Sequence, residues 1–128
     1  YSGDLKADIA VYYPPSGLWY IWTWTGDYWE IPFGWNETLP APGDYDGSGK
    51  ADMAVYYPPS GLWYIWTWAG DYSVQQFGFN EAAPAAADYD GDGVMDKGVF
   101  YKYLYDATWY LLRSSEGFES ISSRDSRP

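Results

Sequence analysis

Two nine-residue segments concentrate the groups able to do chemistry in this chain. Asp44 to Asp52 reads Asp-Tyr-Asp-Gly-Ser-Gly-Lys-Ala-Asp, and Asp88 to Asp96 reads Asp-Tyr-Asp-Gly-Asp-Gly-Val-Met-Asp. Side chains at the first, third, fifth and ninth places of such a loop can converge on one point, because the glycines permit the tight turn and the positive φ that convergence needs. The donors are oxygens throughout: Asp44, Asp46, Ser48 and Asp52 in one loop, and Asp88, Asp90, Asp92 and Asp96 in the other. The backbone carbonyls of Lys50 and Val94, at the seventh place, complete each set. Hard oxygen donors at this density suit calcium; magnesium keeps its water and demands stricter octahedral geometry. The loop with four carboxylates is expected to bind more tightly than the one with Ser48. The competing reading is a solvated turn whose carboxylates cap backbone amides.

The rest of the composition narrows the chemistry further. Histidine and cysteine are both absent, which removes the usual base near neutral pH and all thiolate sites. The carboxylates outside the loops, Glu30, Glu37, Glu81, Glu116 and Glu119, form no recognisable catalytic arrangement, so no enzyme is expected. A net charge of −11 with seven Lys and Arg supplies no footprint for nucleic acid, and an anionic membrane surface would repel it. No apolar run is long enough to insert across a bilayer. Aromatic residues make up 23% of the chain, which argues for order over disorder.

The elements that must hold these loops repeat. Lys6 to Trp24 recurs at Lys50 to Trp68 with one difference, Ile9 against Met53, at an offset of 44 residues. Phe33-Gly34 and Phe77-Gly78 keep the same offset. A third, divergent copy begins with Asp88; Val99-Phe100-Tyr101 holds the register, the spacing then slips by about two residues, and Trp109-Tyr110-Leu111 answers Trp63-Tyr64-Ile65. The copies divide the chain at 1–43, 44–87 and 88–128. Each contains runs rich in aromatic and β-branched residues between Pro-Pro-Ser-Gly and Gly-Asp turns, which predicts strands. In the middle copy these cover Asp52 to Tyr57, Leu62 to Trp68, Tyr72 to Phe77 and a short stretch within Ala85 to Tyr89. Alternation places Leu62, Tyr64, Trp66 and Trp68 on one face and Trp63, Ile65 and Thr67 on the other. Both faces are apolar, which predicts a strand covered on both sides by sheets stacked in series. The expected fold is all-β: three four-stranded, blade-like antiparallel sheets in a propeller-type or stacked array, with a β-trefoil as the alternative.

Tyr1-Ser2-Gly3 aligns with Tyr45-Asp46-Gly47, so the first copy starts inside its own loop and retains Asp8 and Asp4 as candidate ligands. The expectation is a segment of a longer series, or a chain completed by other chains. The signature Phe-Gly, Pro, Asp-x-Asp-Gly-x-Gly, then an apolar strand, seen at Phe77 to Phe100 and at Phe33 to Tyr56, resembles the FG-GAP or VCBS-type repeat. That resemblance implies four-stranded propeller blades with calcium loops between strands, in proteins that are secreted or at the cell surface and serve adhesion, scaffolding or glycan recognition. Such propellers close with more blades than three. The expected function is a calcium-stabilised, non-enzymatic structural or adhesion module that associates with itself as a homo-oligomer, head-to-tail polymer or filament. The alternative is a lectin-like module that stacks glycans on Trp29 and Trp35, which lie outside the shared repeat core. Asn36-Glu37-Thr38 is an N-glycosylation sequon, with Asn36 the acceptor.

Overall fold

A computed structural model describes residues 8–103, 106–113 and 117–124. The described residues contain strands and turns and no helix. The first sheet has the order β1 (Ile9–Tyr13), β2 (Leu18–Trp22), β3 (Tyr28–Pro32). The second runs β4 (Leu39–Pro40), β5 (Met53–Tyr57), β6 (Leu62–Trp66), β7 (Tyr72–Gln76). The third runs β8 (Ala83–Pro84), β9 (Lys97–Tyr103), β10 (Asp106–Arg113), β11 (Gly117–Arg124). All pairings are antiparallel between neighbours. No described strand pairs across sheets, so the trefoil alternative does not describe the arrangement. The first sheet shows three strands rather than the expected four among the described residues. The short first strand of the other two sheets precedes the acidic loop and lies two residues earlier than the Ala85 to Tyr89 stretch in the third. Sheets two and three therefore each reach back across the repeat junctions at residues 44 and 88.

The side-chain alternation sorts each sheet into two faces. In the second sheet, Ala54 opposes Ile65 and Tyr56 opposes Trp63 on what we term the upper face; Met53 opposes Trp66 and Val55 opposes Tyr64 on the lower face. The upper face of the first sheet, with Trp19, Ile21, Ala10, Tyr12, Trp29 and Ile31, packs on the lower face of the second through Met53, Val55, Tyr64 and Trp68. The upper face of the second, with Tyr56 and Trp63, packs on Val99 and Tyr110 of the third. The sheets thus stack in series, always upper face to lower face. Strand β6 is covered on both sides as its two apolar faces require, with Trp66 at the rim; β2 has the same burial pattern, with Leu18 and Tyr20 half-buried and Trp22 exposed, but no described sheet lies on its lower face.

The Phe-Gly pair has a packing reason. The indole N–H of Trp63 donates to the carbonyl of Phe77 at 2.6 Å, and that of Trp19 to Phe33 at 2.8 Å. Gly78 adopts φ +148°, and a Cβ there would lie 2.3 Å from the Tyr56 hydroxyl, which donates to the carbonyl of Phe79 at 3.2 Å. Only glycine leaves room for the tyrosine to reach that carbonyl. In the third sheet the β9–β10 ladder runs from Lys97–Leu112 to Tyr103–Asp106, longer than its counterparts in the other sheets, and this length absorbs the slip in spacing.

Candidate metal centres

Each acidic loop connects the short first strand of its sheet to the second. Isolated bridges, Gly43 to Asp52 and Ala87 to Asp96, pin the loop ends together, and the positive φ of Gly47, Gly49, Gly91 and Gly93 turns the chain between them. The result brings carboxylate oxygens of Asp44, Asp46 and Asp52 within 4.8 Å of one another, and likewise those of Asp88, Asp90 and Asp96.

The ninth-place aspartates are the deepest members, Asp52 at 0% and Asp96 at 1% exposure. Asp52 Oδ2 accepts from the Tyr45 amide at 2.9 Å and its Oδ1 from the Trp68 amide at 3.2 Å. It therefore ties the loop to the end of β6. Asp96 Oδ2 accepts from the Tyr89 amide at 2.7 Å. Burial raises the pKa of Asp52; the two amides work against this, and the neighbouring charges of Asp46 and Asp44 add to it. Asp46 lies at the surface. The slight burial that would raise its pKa is outweighed by hydrogen bonds from the Ser48 hydroxyl and amide, so its carboxyl titrates below the usual value.

The remaining loop carboxylates also cap amides. Asp44 accepts from Ser48 and Gly49 at 3.0 and 2.8 Å, and Asp88 from Gly91, Asp92 and Gly93 at 2.9 to 3.2 Å. Such capping shapes the loop without exhausting the oxygens, since a carboxylate offers about four lone-pair directions. The cluster thus combines both readings of the sequence: capped turns whose oxygens still converge. Asp92 does not join the triad of its loop; its Oδ1 accepts from the Val94 amide at 2.9 Å. Ser48 Oγ accepts from the Lys50 amide at 3.3 Å. Both loops present three convergent carboxylates. The Lys50 amide donates to Ser48 Oγ and the Val94 amide to Asp92 Oδ1, which places both residues in the same turn of their loops. In the first copy, Asp8 Oδ1 accepts from the Trp24 amide at 3.4 Å, the same tie as Asp52 to Trp68; Asp4 lies outside the described residues.

Several residues near these centres carry a role that composition alone does not signal. The Tyr45 hydroxyl donates to the Ala41 carbonyl at 2.7 Å, and that of Tyr89 to the Ala85 carbonyl. Burial, and then the Asp52 charge, push the Tyr45 phenol far above its ordinary pKa. A tyrosine at the second place of both loops was the available signal. The loops also touch each other: the Met95 amide donates to the Asp44 carbonyl at 2.6 Å, and a Cβ on Gly43 would lie 2.2 Å from Met95 Cε. Lys97, whose ammonium lies 5.8 Å from the Tyr45 ring centroid, spans the same junction.

The candidate glycan residues are engaged between sheets. Trp29 lies 5.4 Å from Trp68, and Trp35 lies 5.2 Å from Tyr57 and 5.0 Å from Tyr64. Asn36 is exposed in a turn, while Thr38 of the same sequon is buried, with its hydroxyl hydrogen-bonded to the Trp35 carbonyl at 2.8 Å and to the Tyr12 hydroxyl at 2.5 Å. No helix among the described residues is long and apolar enough to cross a membrane. Comparison of the chain with protein-family models, with curated proteins and with solved structures returned no match.

Proposed function

We propose that this chain is a non-enzymatic structural or adhesion module of the FG-GAP or VCBS kind, secreted or held at a cell surface. Calcium ties its stacked β repeats together, and its copies associate with one another. The observation that carries the reading is the placement of the two carboxylate triads at equivalent points of consecutive sheets, with the loops in contact through Met95 and Asp44. A divalent cation in each loop would offset the repulsion among three carboxylates and hold the buried Asp52 and Asp96 in their charged forms. It would thereby stiffen the junction between sheets, which is a structural task and not a catalytic one. Oxygen donors of this kind suit calcium best.

Support for self-association comes from the lower face of the first sheet, where Ile9, Val11, Tyr13, Trp22 and Tyr28 are exposed. The glycan-binding alternative has less support, because Trp29 packs on Trp68 and Trp35 on Tyr57 and Tyr64 in the contact between the first two sheets, which leaves 39% of Trp35 exposed. Light scattering and electron microscopy in millimolar calcium and in chelator test the reading. The expected result is associated species whose size depends on calcium. A strictly monomeric chain at micromolar concentration under both conditions would overturn the self-association, and a glycan-array signal abolished by Trp35→Ala would favour the alternative.

A further inference from the structure

The three sheets present the same pair of rings on their upper faces. Tyr12 and Trp19 lie 5.0 Å apart, Tyr56 and Trp63 lie 5.2 Å apart, and Phe100 and Trp109 lie 4.5 Å apart, all tilted by similar angles. Onto each of the first two pairs the next sheet lowers a valine: Val55 joins the cluster of Trp19 and Tyr12, and Val99 joins that of Tyr56 and Trp63. Val55 is 0% and Val99 1% exposed. Two halves of this recurring contact have no partner among the described sheets. Val11, the counterpart of Val55 and Val99, is 57% exposed on the lower face of the first sheet. The Phe100–Trp109 pair is half-buried on the upper face of the third, beside Ile121, which pairs with Trp109 and is 47% exposed.

We propose that these two leftover halves fit each other in trans, so that the lower face of the first sheet of one copy seats on the upper face of the third sheet of a second copy, Val11 against Phe100 and Trp109. The inference rests on the reading of the chain as a self-associating module and names the contact. Its warrant is continuity with the internal junctions. The lower face of the first sheet repeats that of the second at Val11, Tyr13, Leu18, Tyr20, Trp22, Trp24 and Tyr28, departing at Ile9 for Met53, Glu30 for Val74 and Pro32 for Gln76. An upper-to-lower contact is heterologous, so it adds copies in one direction, and it yields a filament unless the rotation closes a ring. One difference sets the contact apart from the internal ones. Phe33 and Phe77 reach from one sheet to rings of the next, to Trp66 and Tyr72 and to Phe118, and the third sheet has no such phenylalanine among its described residues. The contact between copies is therefore weaker than those within one.

Sedimentation velocity in calcium on the wild-type chain and two blocked variants tests the contact. Val11→Glu with Trp22→Glu places charge on the lower face of the first sheet, and Ile121→Glu places it on the upper face of the third. Wild type is expected to grow beyond a dimer as concentration rises from about 1 to 100 µM, the range over which a weak interface assembles. Each variant alone is expected to be monomeric, and an equimolar mixture, with one intact face from each partner, is expected to form a dimer and stop there. Near-ultraviolet circular dichroism matching wild type establishes that each variant folds; Trp22→Glu alone, on a side chain 60% exposed, repeats the block should the double variant fail. A dimer that persists in Ile121→Glu would mean that two first sheets meet face to face and would overturn the contact while leaving self-association standing. A mixture that stays monomeric would overturn it too. A wild type that is monomeric throughout would overturn both.

Discussion

Replacing Asp46 and Asp90 by asparagine separates the metal from the fold. The ninth-place aspartates are unsuitable for this purpose, because Asp52 also holds the amides of Tyr45 and Trp68. Asp46, by contrast, is exposed and accepts the Ser48 amide through one oxygen at 3.0 Å, which an asparagine carbonyl can also accept. Two full charges at 4.8 Å, the outer limit within each triad, repel by about 0.9 kcal/mol at the permittivity of water and about 3.5 kcal/mol at an effective value of about 20. Removing one charge per loop relieves this repulsion in the calcium-free protein but also weakens the hydrogen bonds that hold the Asp46 carboxyl below its usual pKa, so the two effects oppose and the calcium-free stability is expected to change little. The metal-bound state behaves differently. For a Kd of about 10⁻⁴ M, 1 mM calcium stabilises each site by about 1.4 kcal/mol, so two sites give about 3 kcal/mol and raise Tm by about 10 °C. Calorimetry of wild type, Asp46→Asn, Asp90→Asn and the double variant, each in chelator and in 1 mM calcium, reads these differences. The shift is expected to be halved in either single variant and nearly lost in the double. A wild-type shift below about 2 °C, or a full shift retained by the double variant, would refute the placement of calcium in these triads.

Further outcomes follow from the packing and the buried charge. Trp63→Ala empties a fully buried site and strands the Phe77 carbonyl, and is expected to cost about 3–5 kcal/mol in urea denaturation; Trp24→Ala, on an exposed ring, is expected to change stability by less than about 0.5 kcal/mol. Gly78→Ala forces a methyl against the Tyr56 hydroxyl and is expected to cost about 1–3 kcal/mol. Part of that loss should be recovered in the Tyr56→Phe background, so that the two changes are non-additive in a double-mutant cycle. In chelator, the raised pKa of Asp52 means that the folded state holds its proton more tightly than the unfolded chain does. The stability this contributes is full below about 3.8 and is lost as pH rises through the raised folded value. Wild type minus Asp52→Asn, followed by urea midpoint from pH 7 downward, is expected to rise on acidification, and a flat difference would refute it.

The strands, their faces and the acidic loops were legible because each rests on local pattern. Leu62 to Trp66 alternates, Pro-Pro-Ser-Gly and Gly-Asp break the chain, and Asp-x-Asp-Gly-x-Gly folds on itself. What stayed hidden depends on contacts that no local pattern records. The fourth strand is two residues long, Ala83–Pro84, and is defined by its partners Phe100 and Val99 rather than by its own residues. Asp92 looked equivalent to Asp88 and Asp90, yet its carboxylate is turned to the Val94 amide, a choice made by loop geometry. Trp29 and Trp35 differ between copies, which made them candidates for a ligand. Yet Trp35 packs on Tyr57 and Tyr64 just as its counterpart Phe79 packs on their equivalents Tyr101 and Tyr110, so the ring at this place serves the contact between sheets in both copies, and Trp29, whose counterpart is Ser73, packs on Trp68.

The near identity of the first two copies also bears on how the chain reaches its native state. Val11 and Val55 sit in almost the same sequence, so while the chain is still open the Tyr56–Trp63 pair can capture Val11, its own or a neighbour's, as readily as Val99. Such wrong captures bury real apolar surface and become kinetic traps, as is usual for repeat proteins. The third copy, with its longer β9–β10 ladder and with Lys97 in place of Met53, breaks this degeneracy at one junction. Its divergence gives the folding chain a reference point from which the order of the other sheets can be counted.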